Sequence, residues 1–155
     1  MTMQDHLLLG EALRSYFVEH LPAELLPVPG GHFSLDGLLD DGDSMSLQIV
    51  GGEVRKSYIN GSRLMDMQFS IFYRSDSAIN DNDAKSAMMG VLNGIGAWMA
   101  GVMEDEAPYL GDWLTVNRFE QIMLANIADS GNQNNQGINY ITYQAGYALG
   151  YKTKR

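Results

Sequence analysis

Residues 53–74 read EVRKSYINGSRLMDMQFSIFYR, with Asn60-Gly61 set between two runs of alternating character. Asn-Gly readily takes the positive φ angles of a two-residue type I′ turn, so the stretch predicts a long β-hairpin. With two residues in the turn, Val54 faces Met67, Arg55 faces Asp66, Lys56 faces Met65 and Ser57 faces Leu64. That register puts Val54, Tyr58, Met65, Met67, Phe69, Ile71 and Tyr73 on one face. Arg55, Ser57, Asp66, Gln68 and Ser70 fall on the other, with Leu64 and Phe72 as exceptions. The hairpin is a scaffold, and nothing on it is arranged for catalysis.

The remainder of the chain fits around this element as one domain spanning residues 1–155, long enough to close its own core. Cysteine is absent, which excludes disulfides, thiolate metal sites and cysteine nucleophiles. A net charge of -9 and a pI near 4.5 argue against a partner held by nucleic-acid phosphates. No basic flank precedes Leu7-Leu8-Leu9, and no apolar run approaches the roughly 20 residues of a membrane helix; a soluble protein without a secretion signal is expected.

Leu9, Leu13, Tyr16 and Phe17 are spaced as one face of a helix over residues 5–21, capped by Asp5 and ended by Pro22. Residues 22–43, with three prolines and the acidic Asp40-Asp41-Gly42-Asp43 run, read as a long connection with one short extended piece. Residues 46–50 predict a strand and Gly51-Gly52 a turn. Asn80 to Asp83 offer N-caps for a second helix, along which Ala84, Met88, Val91, Ile95, Trp98 and Val102 recur at steps of four and three. Gly90, Gly94 and Gly96 inside it mark close packing on the sheet or on a neighbouring subunit. Residues 113–119 predict a strand, 121–128 fit strand or helix, and 138–151 predict a long strand with Ile141, Tyr143, Ala145, Tyr147, Leu149 and Tyr151 on one face. The fold class is α+β, a mainly antiparallel sheet with a long hairpin packed against two helices.

No constellation for chemistry emerges. His6, His20 and His32 lack metal-ligand spacing and read as structural or exposed. The acidic run at 40–43 lacks the spacing of a calcium loop. Gly94-Ile95-Gly96 sits inside a helix and is no dinucleotide fingerprint, and no serine stands in a nucleophile elbow. The methionines and the C-terminal tyrosines fit a core more simply than a binding groove. No catalytic residue, cofactor or metal is assigned, and an enzyme is not expected.

The order of elements resembles the tail terminator proteins of long-tailed bacteriophages, often labelled minor capsid proteins in phages of Gram-positive hosts. The residues that carry the likeness are the helix Leu7 to Leu21, the Tyr58-Ile59-Asn60-Gly61 turn into Met67 to Arg74, the helix Asp83 to Met103, and the closing strand Gly137 to Tyr147. The resemblance implies a virion protein at the head-proximal end of the tail, forming a homo-oligomeric ring, usually a hexamer. Such a ring caps the tail tube protein, stops its polymerisation and offers a docking surface to a head-tail connector or head completion protein. Genomic DNA then passes through the lumen without specific binding, and no membrane is involved.

Under that reading, Asp40, Asp41 and Asp43, or else Glu104, Asp105 and Glu106, are candidates to line the lumen or an interface, although each run also reads as a solvated turn. Asn132, Asn134 and Asn135, in the Asn/Gln/Gly loop 130–137, are candidates for contact with a neighbour or the tube. The reading from a different class is a small regulatory or ligand-binding α+β domain.

Overall fold

A computed structural model of the chain describes residues 3–29, 32–35, 37, 43–75, 81–129 and 140–154, with side chains for all of these except 3–7 and 129. In chain order the elements are α1 (Met3–His20), a 3-10 turn (Ala23–Leu25), β1 (Phe33–Leu35), β2 (Ser44–Ser57), β3 (Arg63–Ser75), α2 (Asn82–Asp105), β4 (Leu114–Asp129) and β5 (Ile141–Thr153). The strands form one sheet in the order β1-β2-β3-β5-β4. Every pairing is antiparallel except β1 with β2, so the α+β, mainly antiparallel expectation holds. The extended piece foreseen in the 22–43 connection is β1, laid parallel along Met45 to Leu47.

The hairpin forms, but its register differs from the expected one. Its loop holds three residues, Ile59, Asn60 and Gly61, closed by Tyr58 N–H donating to the Ser62 carbonyl at 2.9 Å. Gly61 N–H bonds back to the Tyr58 carbonyl, and Gly61 takes φ +90°, the left-handed residue that a three-residue hairpin needs. Ser57 therefore pairs with Arg63 and Lys56 with Leu64. A bulge between Val54 and Lys56 then shifts Val54 onto Met65.

Gly51-Gly52 is no turn: β2 runs straight through it, with a second bulge between Ile49 and Gly51. Glycine serves bulges and turns alike, so the pair alone does not separate the two. The faces survive these shifts, because period-2 alternation within β3 is independent of its partner. Met65, Met67, Phe69, Ile71 and Tyr73 are all buried, whereas Val54, opposite Met65, is exposed.

Both helices lie on the face that carries these side chains. α1 contributes Leu9, Leu13 and Phe17, each fully buried. Phe17 packs on Phe33, Phe69 and Phe119 with ring centroids 5.7–6.3 Å apart, so α1 contributes to the cover over Phe69. The helix begins at Met3, and Asp5 lies inside it rather than capping it. The second helix is capped by Asp81, whose carboxylate accepts from Ala84 N–H at 3.1 Å, and buries Met88, Leu92, Ile95, Gly96 and Met99.

A Cβ on Gly96 would collide with Gln121, and one on Gly94 would crowd Leu25, so these two glycines do mark close packing. Gly90 faces open space and does not. By length and composition alone α2 is apolar enough to cross a membrane. That property comes mainly from Val91, Leu92, Ile95 and Val102 with Ala and Met, and Gly90, Asn93, Gly94 and Gly96 among them keep it from being an unbroken apolar run.

Beyond Phe119 the ambiguous stretch is strand, completing the 16-residue β4. Ile141, Tyr143, Ala145, Tyr147, Leu149 and Tyr151 are buried, as the alternation requires.

Candidate functional site

Two features of the sheet are left unfinished by the fold. Among the described residues β4 has no strand partner on its outer side, although the Asn93 side chain of α2 accepts from Ala125 N–H at 2.9 Å, and Ile122, Leu124 and Ile127 are exposed on β4 by 44%, 70% and 52%. At the opposite side β1 covers β2 only from Met45 to Leu47, and among the described residues no strand pairs with the outer side of β2 from Val50 to Ser57, where Val50 and Val54 are exposed. The sheet face turned away from the helices carries a network centred on Asp66. Arg118 lies 3.2 Å and Arg55 3.7 Å from its carboxylate, and Arg118 also pairs with Glu120 at 2.6 Å. The Glu120 hydrogen bond is the main influence holding the Arg118 guanidinium in its charged form. Gln68 is exposed on this face, and Phe72 and Gln144 are half-buried.

At the end of the sheet where the hairpin turns, basic and apolar side chains converge. Ile59 at the tip is fully exposed. Behind it two ammonium groups lie over the ring of Tyr58, Lys152 at 4.5 Å and Lys56 at 5.3 Å from its centroid. Arg63 N–H donates to Thr153 Oγ1, holding the β3 start against the end of β5. Lys152 and Lys154 flank a hollow of about 300 Å³ lined also by Asn60, Ser62, Thr115 and Thr153. Lys56, Arg63, Lys152 and Lys154 are exposed, and among the described residues none of the four has an ion-pair partner.

On the helix side, a cleft of about 620 Å³ opens between the C-terminal half of α1 and residues 106–111. Its walls include Ala12, Tyr16, Pro108 and Leu110, and its rim includes Glu19, His20 and Glu106. Tyr16 stacks on His20 with centroids 4.3 Å apart, and burial raises the Tyr16 hydroxyl above its ordinary pKa. Tyr109 donates its hydroxyl to Asp112. The termini of both helices, at His20 and Asp105, border this cleft or the residues leading into it.

Of the candidates read from sequence, Glu104, Asp105 and Glu106 are exposed at the end of α2, and Glu106 reaches the cleft. Asp43 is half-buried just before β2 and lies close enough to Tyr73 to add to the rise in its pKa, which burial dominates. Asp40, Asp41, Asn132, Asn134 and Asn135 lie outside the described residues, as does the loop 130–137. His20 and His32 are exposed, and no group of His, Asp or Glu able to hold a metal occurs among the described residues. The cluster of Lys56, Tyr58, Arg63, Lys152 and Lys154 was not foreseen. The signal for it lay in the hairpin itself, since pairing of β3 with both β2 and β5 brings residues 56, 63 and 152 to one end.

No protein-family model matches this sequence, and no curated protein matches it at a significant level. Among solved structures, the chain is similar to a component of the virion of a native gene transfer agent particle. The match covers 93% of this chain and 97% of that one, at 14% identity and a TM-score of 0.42. The likeness is loose in both sequence and shape, and the functional reading rests on the chain's own residues.

Proposed function

We propose that this protein is a structural component of a phage-like virion. It forms a closed ring at the head-proximal end of the tail, caps the tail tube, ends its polymerisation and presents the surface to which a head-tail connector or completion protein docks. The observation that carries the reading is the pair of sheet edges without a strand partner among the described residues, β4 on one side and the outer half of β2 on the other, each with exposed aliphatic side chains. Soluble monomers blunt or cover such edges, and a head-to-tail ring of copies covers both at once. The resemblance carried by the hairpin, the two helices and the closing strand supplies the tail context. The mechanism is geometric: one ring face matches the last tube ring and the other offers no further tube-like edge. DNA passes through a lumen that does not hold it, with Asp40, Asp41 and Asp43 or Glu104, Asp105 and Glu106 as candidate lining.

Mass photometry over a concentration series tests the oligomer. A discrete species near six times the 17.1 kDa subunit is expected, and a monomer at every concentration contradicts the ring. The alternative, a small ligand-binding domain, has the open cleft between α1 and residues 106–111 as its specific support. Saturable binding of a small molecule there by a monomeric protein favours it.

A further inference from the structure

We infer that the hairpin tip of one copy docks into the cleft between α1 and residues 106–111 of a second copy. Ile59 serves as the apolar anchor, and Lys56, Arg63, Lys152 and Lys154 form a cationic collar around it. The inference rests on the ring reading and adds a second contact, beside the sheet edges, between its copies.

The tip has the layout of an interface centre, a protruding aliphatic side chain ringed by charge. Ile59 is wholly exposed, and the four cations beside it make no ion pair among the described residues. The cleft is its complement. It offers apolar walls in Ala12, Tyr16, Pro108 and Leu110 and room, at about 620 Å³, for a side chain of isoleucine size with its flanks. Glu19 and Glu106 on its rim, with Glu104 and Asp105 just before, are exposed and likewise make no ion pair among the described residues.

Helix termini add to the match. α1 and α2 both end beside the cleft, so their carbonyl ends contribute negative potential where the collar would arrive. A chain of net charge -9 repels its own copies unless opposite signs meet locally. These two surfaces are where that can happen. An extended nucleic acid fits the tip less well, because the protruding Ile59 would hold a phosphate backbone away from the collar, and the overall charge opposes it.

The test is charge reversal read by sedimentation velocity, with circular dichroism as the check on folding. All the altered side chains are exposed. A tip variant, Lys152→Glu with Lys154→Glu, and a cleft variant, Glu19→Lys with Glu106→Lys, should each raise the concentration for half-association about tenfold or more. Mixing the two should restore association, because each reversed tip then meets a reversed cleft. Ile59→Asp should weaken association and not be rescued by the cleft variant. Wild-type protein that assembles while the reversals and Ile59→Asp leave assembly unchanged would overturn the tip-in-cleft contact and leave the ring reading standing. Wild-type protein that stays monomeric would overturn both. Binding of a double-stranded DNA probe that the tip variant abolishes, without any effect of the tip on self-association, would overturn the contact in favour of a nucleic-acid surface.

Discussion

Tyr147, at the centre of the sheet, donates its hydroxyl to the backbone carbonyl of Leu92 across 2.7 Å, tying β5 to the middle of α2. The ring is fully buried, and burial pushes the hydroxyl far above its ordinary pKa of 10.0. The folded state therefore holds the neutral form while the unfolded chain ionises normally. Stability from this group is complete below about pH 10 and falls as pH rises beyond it. Tyr16 and Tyr73, also raised by burial, add to the slope. Melting temperatures measured from pH 8 to 12 should drop steeply above about 10. Tyr147→Phe should flatten that drop and cost about 0.5–1.5 kcal/mol at neutral pH.

Phe69 stacks against Tyr147 at 5.4 Å between centroids and meets Phe17 from α1, while Gln68 beside it is exposed. Phe69→Ala should cost about 3–5 kcal/mol in urea unfolding, whereas Gln68→Ala should change stability little. Equal effects at the two positions would mean that β3 is turned the wrong way.

Glycines in α2 divide into two kinds. A methyl group at Gly96 would run into Gln121, whose amide donates to Asn93 Oδ1 at 2.9 Å, while Gly90 and Gly101 face open space. Gly96→Ala should therefore destabilise by about 1–3 kcal/mol through overpacking. Gly90→Ala and Gly101→Ala should be neutral or stabilise by up to about 1 kcal/mol, because Ala is the better helix former. Thermal melts of the three variants check the division.

These positions also show what was legible in the sequence. The faces of β3 and β5 and the buried stripe of α1 were readable, since alternation and helical spacing follow from burial within one element. Register was not readable. Asn60-Gly61 fits a two-residue turn by composition, but the Asn60 side chain accepts from Ser62 N–H at 3.0 Å and the loop takes a third residue. Bulges at Ile49/Gly51 and Val54/Lys56 depend on how strands meet, and a single chain does not record that locally. β1 was foreseen only as an unplaced extended piece of the 22–43 connection, because three residues, Phe33 to Leu35, are too few to show a period. The charged tip was missed for the same reason as the register: Lys56, Arg63 and Lys152 are far apart in sequence and become neighbours only through pairing. The acidic runs were easy to see, yet conspicuous charge in sequence marks exposure before it marks a site.

The charge of the chain bears on DNA directly. With 19 acidic against 10 basic residues, a ring of copies should not retain duplex DNA. A retardation assay at about 0.15 M salt should show no shift at micromolar protein. Tight binding would contradict a freely passed lumen and favour a DNA-contacting connector.

The most direct test of the tail-capping account is electron microscopy of tail tube protein polymerising with and without this protein. The account predicts that added protein stops elongation, shortens the tubes and decorates a single end of each with a ring. Tubes of unchanged length with bare ends, in the presence of excess folded protein, would contradict it.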